Sequence, residues 1–169
     1  MIYIIDGYNV LHAREPDGAI SARDLESRRN SFIEDMISYM ATVGAECYIV
    51  FDSRKSSSSE CETIHDTSVT VCYSSRLESA DLFIGKLVQK TLSGTDSPIR
   101  VVSADWEVQR GAMQERVERM PPRHLLADLK KLAEKLAISV KKDKIPRKLE
   151  HKVDVETLRK LERMRRGLE

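Results

Sequence analysis

Apolar residues along this chain form short continuous runs that alternate with segments in which apolar residues recur at helical spacing. Continuous runs predict strands buried on both faces, and the helical spacing predicts amphipathic helices. The predicted strands cover residues 1–5, 47–51, 69–73 and 99–102. Two predicted helices follow Ser21 and Ser79 as capping residues, and two more cover residues 125–136 and 155–168.

This alternation of strands and helices favours an α/β fold with a central, mainly parallel sheet. In such a sheet, ligands bind beyond the carboxyl ends of the strands. Residues 53–62 contain four consecutive serines and are expected to form a mobile loop. Residues 7–9, Gly-Tyr-Asn, are expected to form a tight turn beside Asp6.

The length and charge distribution of the chain indicate a mildly acidic domain followed by a shorter basic extension. We expect one domain over residues 1–140 and a basic helical extension over residues 141–169. The extension has 11 Lys and Arg against 6 Asp and Glu, a local charge of +5, which leaves −4 for residues 1–140. No apolar run is long enough to cross a bilayer, and the first residues lack the basic region of a signal peptide. The expected location is the cytoplasm, without a membrane partner.

The cysteines and histidines offer no site of their own. Three cysteines without C-x-x-C spacing cannot all pair within the chain, so neither a zinc site nor a disulfide framework is expected. The four histidines show no spacing typical of a ligand set or of a general base.

Four aspartates occupy positions that one edge of the sheet can bring together. Asp6, Asp52 and Asp105 follow predicted strands, and Asp81 lies in the first turn of a predicted helix. Each alone is also an ordinary strand-ending or capping residue. Together, four carboxylates would repel unless a divalent cation neutralised them, and oxygen ligands favour Mg²⁺ or Mn²⁺ over zinc. Asn9 is expected to orient Asp6 or to hold a metal-bound water.

These residues lie in motifs that occur in a fixed order along the chain. The motifs are Ile-Ile-Asp-Gly-Tyr-Asn at residues 4–9, Val-Phe-Asp at 50–52, Glu-Ser-Ala-Asp at 78–81, and Ser-Ala-Asp at 103–105, followed by Gln109 and Gly111. The ordered set resembles the YacP-like branch of the NYN ribonucleases, which have a PIN-like three-layer fold. The basic ending of the chain is similar to the terminal helix of that branch.

The resemblance implies endonucleolytic cleavage of RNA with magnesium or manganese, on translated messenger RNA at the ribosome. It makes Asp6, Asp81 and Asp105 metal-site carboxylates, with Asn9 and Asp52 in support. One position departs from the family pattern, because Gly85 stands where an acidic residue is common. That departure leaves one ligand, or a second metal, open, and Glu78 is a candidate replacement.

Basic and aromatic residues near the same edge are candidate RNA contacts. Arg54, Lys55, Arg76 and Arg110 lie in predicted loops or turns, where they either hold phosphates or are simply solvated. Tyr8 and Trp106 flank site aspartates and either stack on a base or pack in the core. Four arginines of the extension either dock on the ribosome or RNA or form a solvated face of the helix. They are Arg159, Arg163, Arg165 and Arg166.

The sequence therefore predicts a metal-dependent endoribonuclease that cleaves single-stranded RNA through an activated water. A first alternative is a binding module for RNA or ribosomes with a degenerate nuclease site, for which Gly85 is the argument. A second is an aspartyl phosphotransferase with Asp6 as nucleophile, although the common Asp-x-Asp arrangement is absent because residue 8 is Tyr. The cleavage motif, the number of metal ions and the oligomeric state are left open.

Overall fold

A computed structural model of the protein describes residues 1–15, 22–52, 58–105 and 115–143. The chain divides into two compact units, Met1–Ala133 and Glu134–Glu169. The predicted boundary after residue 140 stays a prediction, and the predicted basic helix over residues 155–168 lies outside the described residues. In the described part of the chain, none of the helices combines the length and apolar character that a membrane span needs.

The described residues contain six strands and four helices. Their bounds are β1 (Ile2–Asp6), α1 (Gly7–Arg14), α2 (Ala22–Val43), β2 (Glu46–Phe51), β3 (Glu60–Thr63), β4 (Val69–Tyr73), α3 (Ala80–Gly94), β5 (Ile99–Val102), β6 (Val117–Met120) and α4 (Pro122–Asp143).

The strands form one sheet in the order β3-β4-β2-β1-β5-β6. Every neighbouring pair is parallel except β3 with β4, which is antiparallel. β1 lies between β2 and β5, with Ile5 opposite both Ile49 and Val102. The strands β1, β2, β4 and β5 therefore end at the same edge of the sheet, where the sequence predicted the site.

Both faces of the sheet are covered, which explains the continuous apolar runs. Because side chains alternate along a strand, Tyr3 and Ile5 face one cluster and Ile4 faces the other. The first cluster includes residues of α1, α2 and α4, whereas the second is closed by Ile84 and Val88 of α3. The predicted three-layer arrangement with a mainly parallel sheet is confirmed.

The predicted strands at residues 1–5, 47–51, 69–73 and 99–102 are confirmed to within one residue. The helices after Ser79 and over residues 125–136 are also confirmed, as is α2, although Ser21 itself lies outside the described residues. Three elements were missed. The short helix α1 stands where a turn was expected, β3 replaces part of the expected loop at residues 53–62, and β6 was not predicted.

The expectation that no disulfide forms is wrong, because Cys61 and Cys72 are bonded at an S–S distance of 2.03 Å. Antiparallel pairing places Cys61 of β3 directly opposite Cys72 of β4. This pairing could not be predicted from the sequence, because β3 exposes all four of its side chains and lacks an apolar pattern. The third cysteine, Cys47, is a buried thiol in β2.

Candidate functional site

Asp6 is the last residue of β1 and also the N-cap of α1. Its Oδ1 accepts a hydrogen bond of 3.0 Å from the backbone N–H of Asn9, the third residue of the helix. The side-chain amide of Asn9 donates to Oδ2 of the same carboxylate. Asn9 therefore holds both carboxylate oxygens of Asp6.

The Asp6 carboxylate is buried, with 4% of the residue exposed. Burial raises its pKa above the ordinary value, and the negative charge of Asp105 adds to the rise. Hydrogen bonds from Asn9 and from the backbone of Tyr8 oppose it. A buried carboxylate with a second carboxylate in electrostatic range is a place where a cation would be favourable.

The expected turn at residues 7–9 is wrong, because Gly7 is the first residue of α1. Glycine is required there by space. A Cβ atom at residue 7 would lie 2.6 Å from Cδ1 and 2.8 Å from Cζ of the Phe51 ring, far inside ordinary contact. Phe51 is fully buried at the end of β2, so the close approach of β2 to α1 fixes the helix that carries Asn9.

Asp105 lies three residues beyond the end of β5. Its backbone N–H donates a 3.0 Å hydrogen bond to Oγ of Ser103, which is fully buried. Because β5 is the parallel neighbour of β1, Asp105 and Asp6 emerge at the same edge of the sheet. Ser103 is a site residue that the analysis of the sequence missed, although a small polar residue directly after a buried strand is a usable signal.

Asp52 and Asp81 are positioned by β2 and α3, respectively. Asp52 follows β2, is exposed, and accepts a 2.9 Å hydrogen bond from Oγ of the buried Ser74. Asp81 is exposed in the first turn of α3, where Ser79 caps the helix by accepting a 3.3 Å hydrogen bond from the Leu82 N–H. A carboxylate in this first turn is stabilised in its ionised form by the helix dipole.

Glu78 has a structural partner for each carboxylate oxygen. Oε1 lies 2.7 Å from Nζ of Lys86, and Oε2 accepts a 3.2 Å hydrogen bond from Oγ of Ser59. The contact with Lys86 lowers the pKa of Glu78. That Glu78 replaces the acidic ligand missing at residue 85 stays a prediction. Metal binding by Glu78 would require its carboxylate to leave Lys86 and Ser59. Gly85 itself lies on the exposed side of α3, with no atom within 4 Å of an added Cβ.

The predicted metal site is only partly assembled in this geometry. Within the described ranges, no three His, Cys, Asp or Glu side chains are grouped closely enough to hold one metal ion. Asp105 nevertheless lies in electrostatic range of Asp6, and one or two carboxylates are the protein ligands through which Mg²⁺ is usually bound while it keeps several waters and contacts substrate phosphates. The four predicted aspartates, all within the described part of the chain, are not grouped as one metal-binding cluster. Which of them would bind the ion stays a prediction.

Tyr8 takes the packing role that was considered from the sequence. Its ring lies 5.2 Å from that of Phe51, and its hydroxyl accepts a 3.2 Å hydrogen bond from Arg29 of α2. Arg29 was missed, because nothing in the periodicity of α2 distinguishes it from a solvated residue. Arg76 is exposed in the turn before α3. The other predicted RNA contacts lie outside the described residues, namely Arg54, Lys55, Trp106, Arg110, Arg159, Arg163, Arg165 and Arg166.

Comparison with known proteins gives consistent results. The family model of the YacP-like NYN domain matches residues 3–166. The chain is 27% identical to the uncharacterized protein YacP of Bacillus subtilis, over 98% of this chain and 97% of that protein. Crystal structures of Rae1 (YacP) from Bacillus subtilis superpose with TM-scores of 0.69 for one form and 0.72 for a mutant. The two Rae1 sequences are 27% and 26% identical to this chain, respectively, and each match covers 99% of this chain and at least 95% of the Rae1 chain. The fold is thus the PIN-like fold.

Proposed function

This chain belongs to the YacP-like NYN domain family, a family of PIN-like nuclease domains, and we propose that it is a metal-dependent endoribonuclease acting on single-stranded RNA. The observation that carries the proposal is the buried Asp6 carboxylate, fixed by Asn9 in electrostatic range of Asp105. It lies at the carboxyl edge of the central strand, where ligands of parallel sheets bind.

Each residue of this group has a distinct task in the proposed reaction. Asp6 presents a carboxylate whose orientation Asn9 determines, and Asp105 supplies the second negative charge from the end of β5. The proposed task of Asp81, in the first turn of α3, and of Asp52, which accepts a hydrogen bond from Ser74, is to bind water or to complete the ligand set. A magnesium or manganese ion bound there would activate a water and stabilise charge on the phosphodiester.

The proposed substrate is messenger RNA on the ribosome. Support comes from the charge of +5 in residues 141–169, since Lys and Arg that neutralise phosphates give salt-dependent binding to nucleic acid. This partner proposal is separate from the proposal of catalysis, and cleavage of free RNA does not depend on it.

Two alternatives make different claims about the same residues. A non-catalytic RNA-binding module draws support from Gly85, since α3 carries no acidic side chain one turn after Asp81. An aspartyl phosphotransferase would use Asp6 as nucleophile. The sequence argues against that role, because the common Asp-x-Asp arrangement is absent and residue 8 is Tyr.

The test is incubation of the purified protein with free RNA and with translating ribosomes, each with and without Mn²⁺. Asp6→Asn keeps the shape of the side chain and removes its charge, so cleavage should be lost in every condition. The control is Asp96→Asn, because Asp96 is exposed before β5, at the opposite edge of the sheet. RNA that is bound but never cut by the wild type would support the binding module, and cleavage by Asp6→Asn at the wild-type rate would exclude the proposed site.

A further inference from the structure

The disulfide between β3 and β4 lies at a position where two strands bring side chains closest. The backbone N–H of Ile64 donates to the carbonyl of Val69 at 2.9 Å, so residues 64 and 69 form a hydrogen-bonded pair. In an antiparallel ladder the pair types alternate, which makes Cys61 and Cys72 a non-hydrogen-bonded pair, like Thr63 and Thr70. The Thr hydroxyls of that second pair lie 2.9 Å apart.

β3 has little besides this bond and its backbone ladder to hold it on the sheet. All four of its side chains are exposed, and it is an edge strand that pairs only with β4 among the described elements. Cys72, in contrast, is fully buried in the cluster closed by α3. The disulfide therefore connects an edge strand without a buried side chain to the core of the molecule.

The segment that β3 stabilises reaches the candidate site. Ser59 lies two residues before Cys61, and its Oγ accepts a 3.1 Å hydrogen bond from the backbone N–H of Ser75. The same hydroxyl donates to Glu78, whose backbone N–H donates to the carbonyl of Ser75 at 3.1 Å. We call these contacts of Ser59, Ser75 and Glu78 the serine bridge. It joins the beginning of β3 to the turn that leads into α3 and Asp81.

We propose that Cys61 and Cys72 form a reversible thiol–disulfide modification site, and that its redox state determines whether β3 and the serine bridge stay fixed on the sheet. The chemical partners are small thiols and small disulfides of the glutathione class. Release of the bond leaves β3 with its backbone ladder and the Thr63–Thr70 hydrogen bond, and opening of a short exposed edge strand then costs less.

The exchange proceeds through the exposed cysteine. The thiolate of a small thiol attacks Sγ of Cys61, the Cys61–Cys72 bond breaks, and Cys72 leaves as a thiolate that takes up a proton. A second small thiol attacks the mixed disulfide on Cys61 and releases an oxidised small disulfide and the Cys61 thiol. In sum, two small thiols are oxidised and the protein disulfide is reduced to two thiols. Oxidation runs the same steps in reverse, with the small disulfide as oxidant.

Cys47 provides an internal control. It is 1% exposed, and burial raises the pKa of its thiol to about 12. Because the thiolate is the reactive species, Cys47 should exchange with neither small thiols nor small disulfides while the protein is folded.

The experiment uses the full chain, equilibrated in buffers of reduced and oxidised glutathione at different ratios. Alkylation of the denatured protein followed by mass spectrometry should show Cys61 and Cys72 blocked after equilibration in oxidising buffer and alkylated after equilibration in reducing buffer, with Cys47 alkylated in both. In the folded, reduced protein only the exposed Cys61 should be alkylated, because Cys47 and Cys72 are both buried. Amide hydrogen exchange in the same samples should be faster by about tenfold or more at Ser75 and Glu78 after reduction, and unchanged at Asn9.

Two variants keep the result interpretable. Cys61→Ser should show the fast exchange in every buffer, whereas Cys47→Ser should respond to glutathione as the wild type does. Three alkylated cysteines in the denatured protein after equilibration in oxidising buffer would overturn the proposal, and so would equal exchange at Ser75 and Glu78 in both redox states. Neither readout requires nuclease activity, so this outcome is independent of the proposed function.

Discussion

Gly7→Ala tests whether the close approach of α1 to β2 is what builds the site. The added Cβ would lie 2.6 Å from Cδ1 of Phe51, and that ring is fully buried between Tyr8 and Tyr73, with ring centroids 5.2 and 5.9 Å away. Overpacking of this kind costs about 1–3 kcal/mol. For a chain of this size, a cost of about 2 kcal/mol lowers Tm by about 4–8 °C.

The same change should impair catalysis, because α1 carries Asn9 and is capped by Asp6. A displacement of about 1 Å at catalytic groups costs roughly a hundredfold in rate. Thermal melting and the initial rate of RNA cleavage, measured on the same preparation, check both effects. Loss of stability without loss of rate would show that the contact is structural only.

The matched control is Gly85→Ala, the same substitution at an exposed helix position with no atom within 4 Å of the new Cβ. It should stabilise the protein by about 0.5–1 kcal/mol, because alanine loses less backbone entropy in a helix than glycine. Phe51→Leu shortens the side chain that Gly7→Ala would meet. The double variant should therefore be more stable than the sum of the single effects by about 0.5–3 kcal/mol. A wild-type melting curve for Gly7→Ala, or no rescue by Phe51→Leu, would show that the contact between residue 7 and Phe51 does not constrain α1.

Three further predictions concern charge. Because the pKa of Asp6 is raised in the folded state, the wild type in EDTA should lose stability as the pH rises from the unfolded-state pKa, near 4, through the folded-state pKa, and Asp6→Asn should lack this pH-dependent loss in thermal melts. Mn²⁺ should raise the Tm of the wild type, and a double variant with Asp6→Asn and Asp105→Asn should show no shift; an equal shift would place the metal elsewhere. Sedimentation with ribosomes at several salt concentrations should show weaker, less salt-dependent binding when alanine replaces Arg159, Arg163, Arg165 and Arg166, while cleavage of a short RNA persists.

The sequence was most informative about buried elements. Continuous apolar runs predicted β1, β2, β4 and β5 because each is covered on both faces, and polar residues after three of those runs indicated the edge of the site. The family drawn from the ordered motifs is confirmed by the match over residues 3–166. Asp6 and Asp105 are brought to the same edge as predicted, because β1 and β5 are neighbours.

The features that the sequence did not reveal are determined by strand pairing and long-range contacts rather than by burial. β3 and β6 are edge strands whose exposed or half-exposed side chains carry no continuous apolar pattern. The Cys61–Cys72 bond follows from the register of β3 against β4, which no spacing along the chain encodes. The contacts of Ser59, Ser74 and Arg29 likewise join residues that are far apart in sequence. Their partners become apparent only when the strand order is known.

The most direct test of the account uses a circular single-stranded RNA, which an endonuclease opens and an exonuclease leaves intact. The wild type and Asp96→Asn should convert the circle to linear RNA in the presence of Mn²⁺ and leave it unchanged in EDTA, and Asp6→Asn should leave it unchanged in both. Linear RNA produced by Asp6→Asn at the wild-type rate, or by the wild type in EDTA, would contradict a metal-dependent endoribonuclease centred on Asp6.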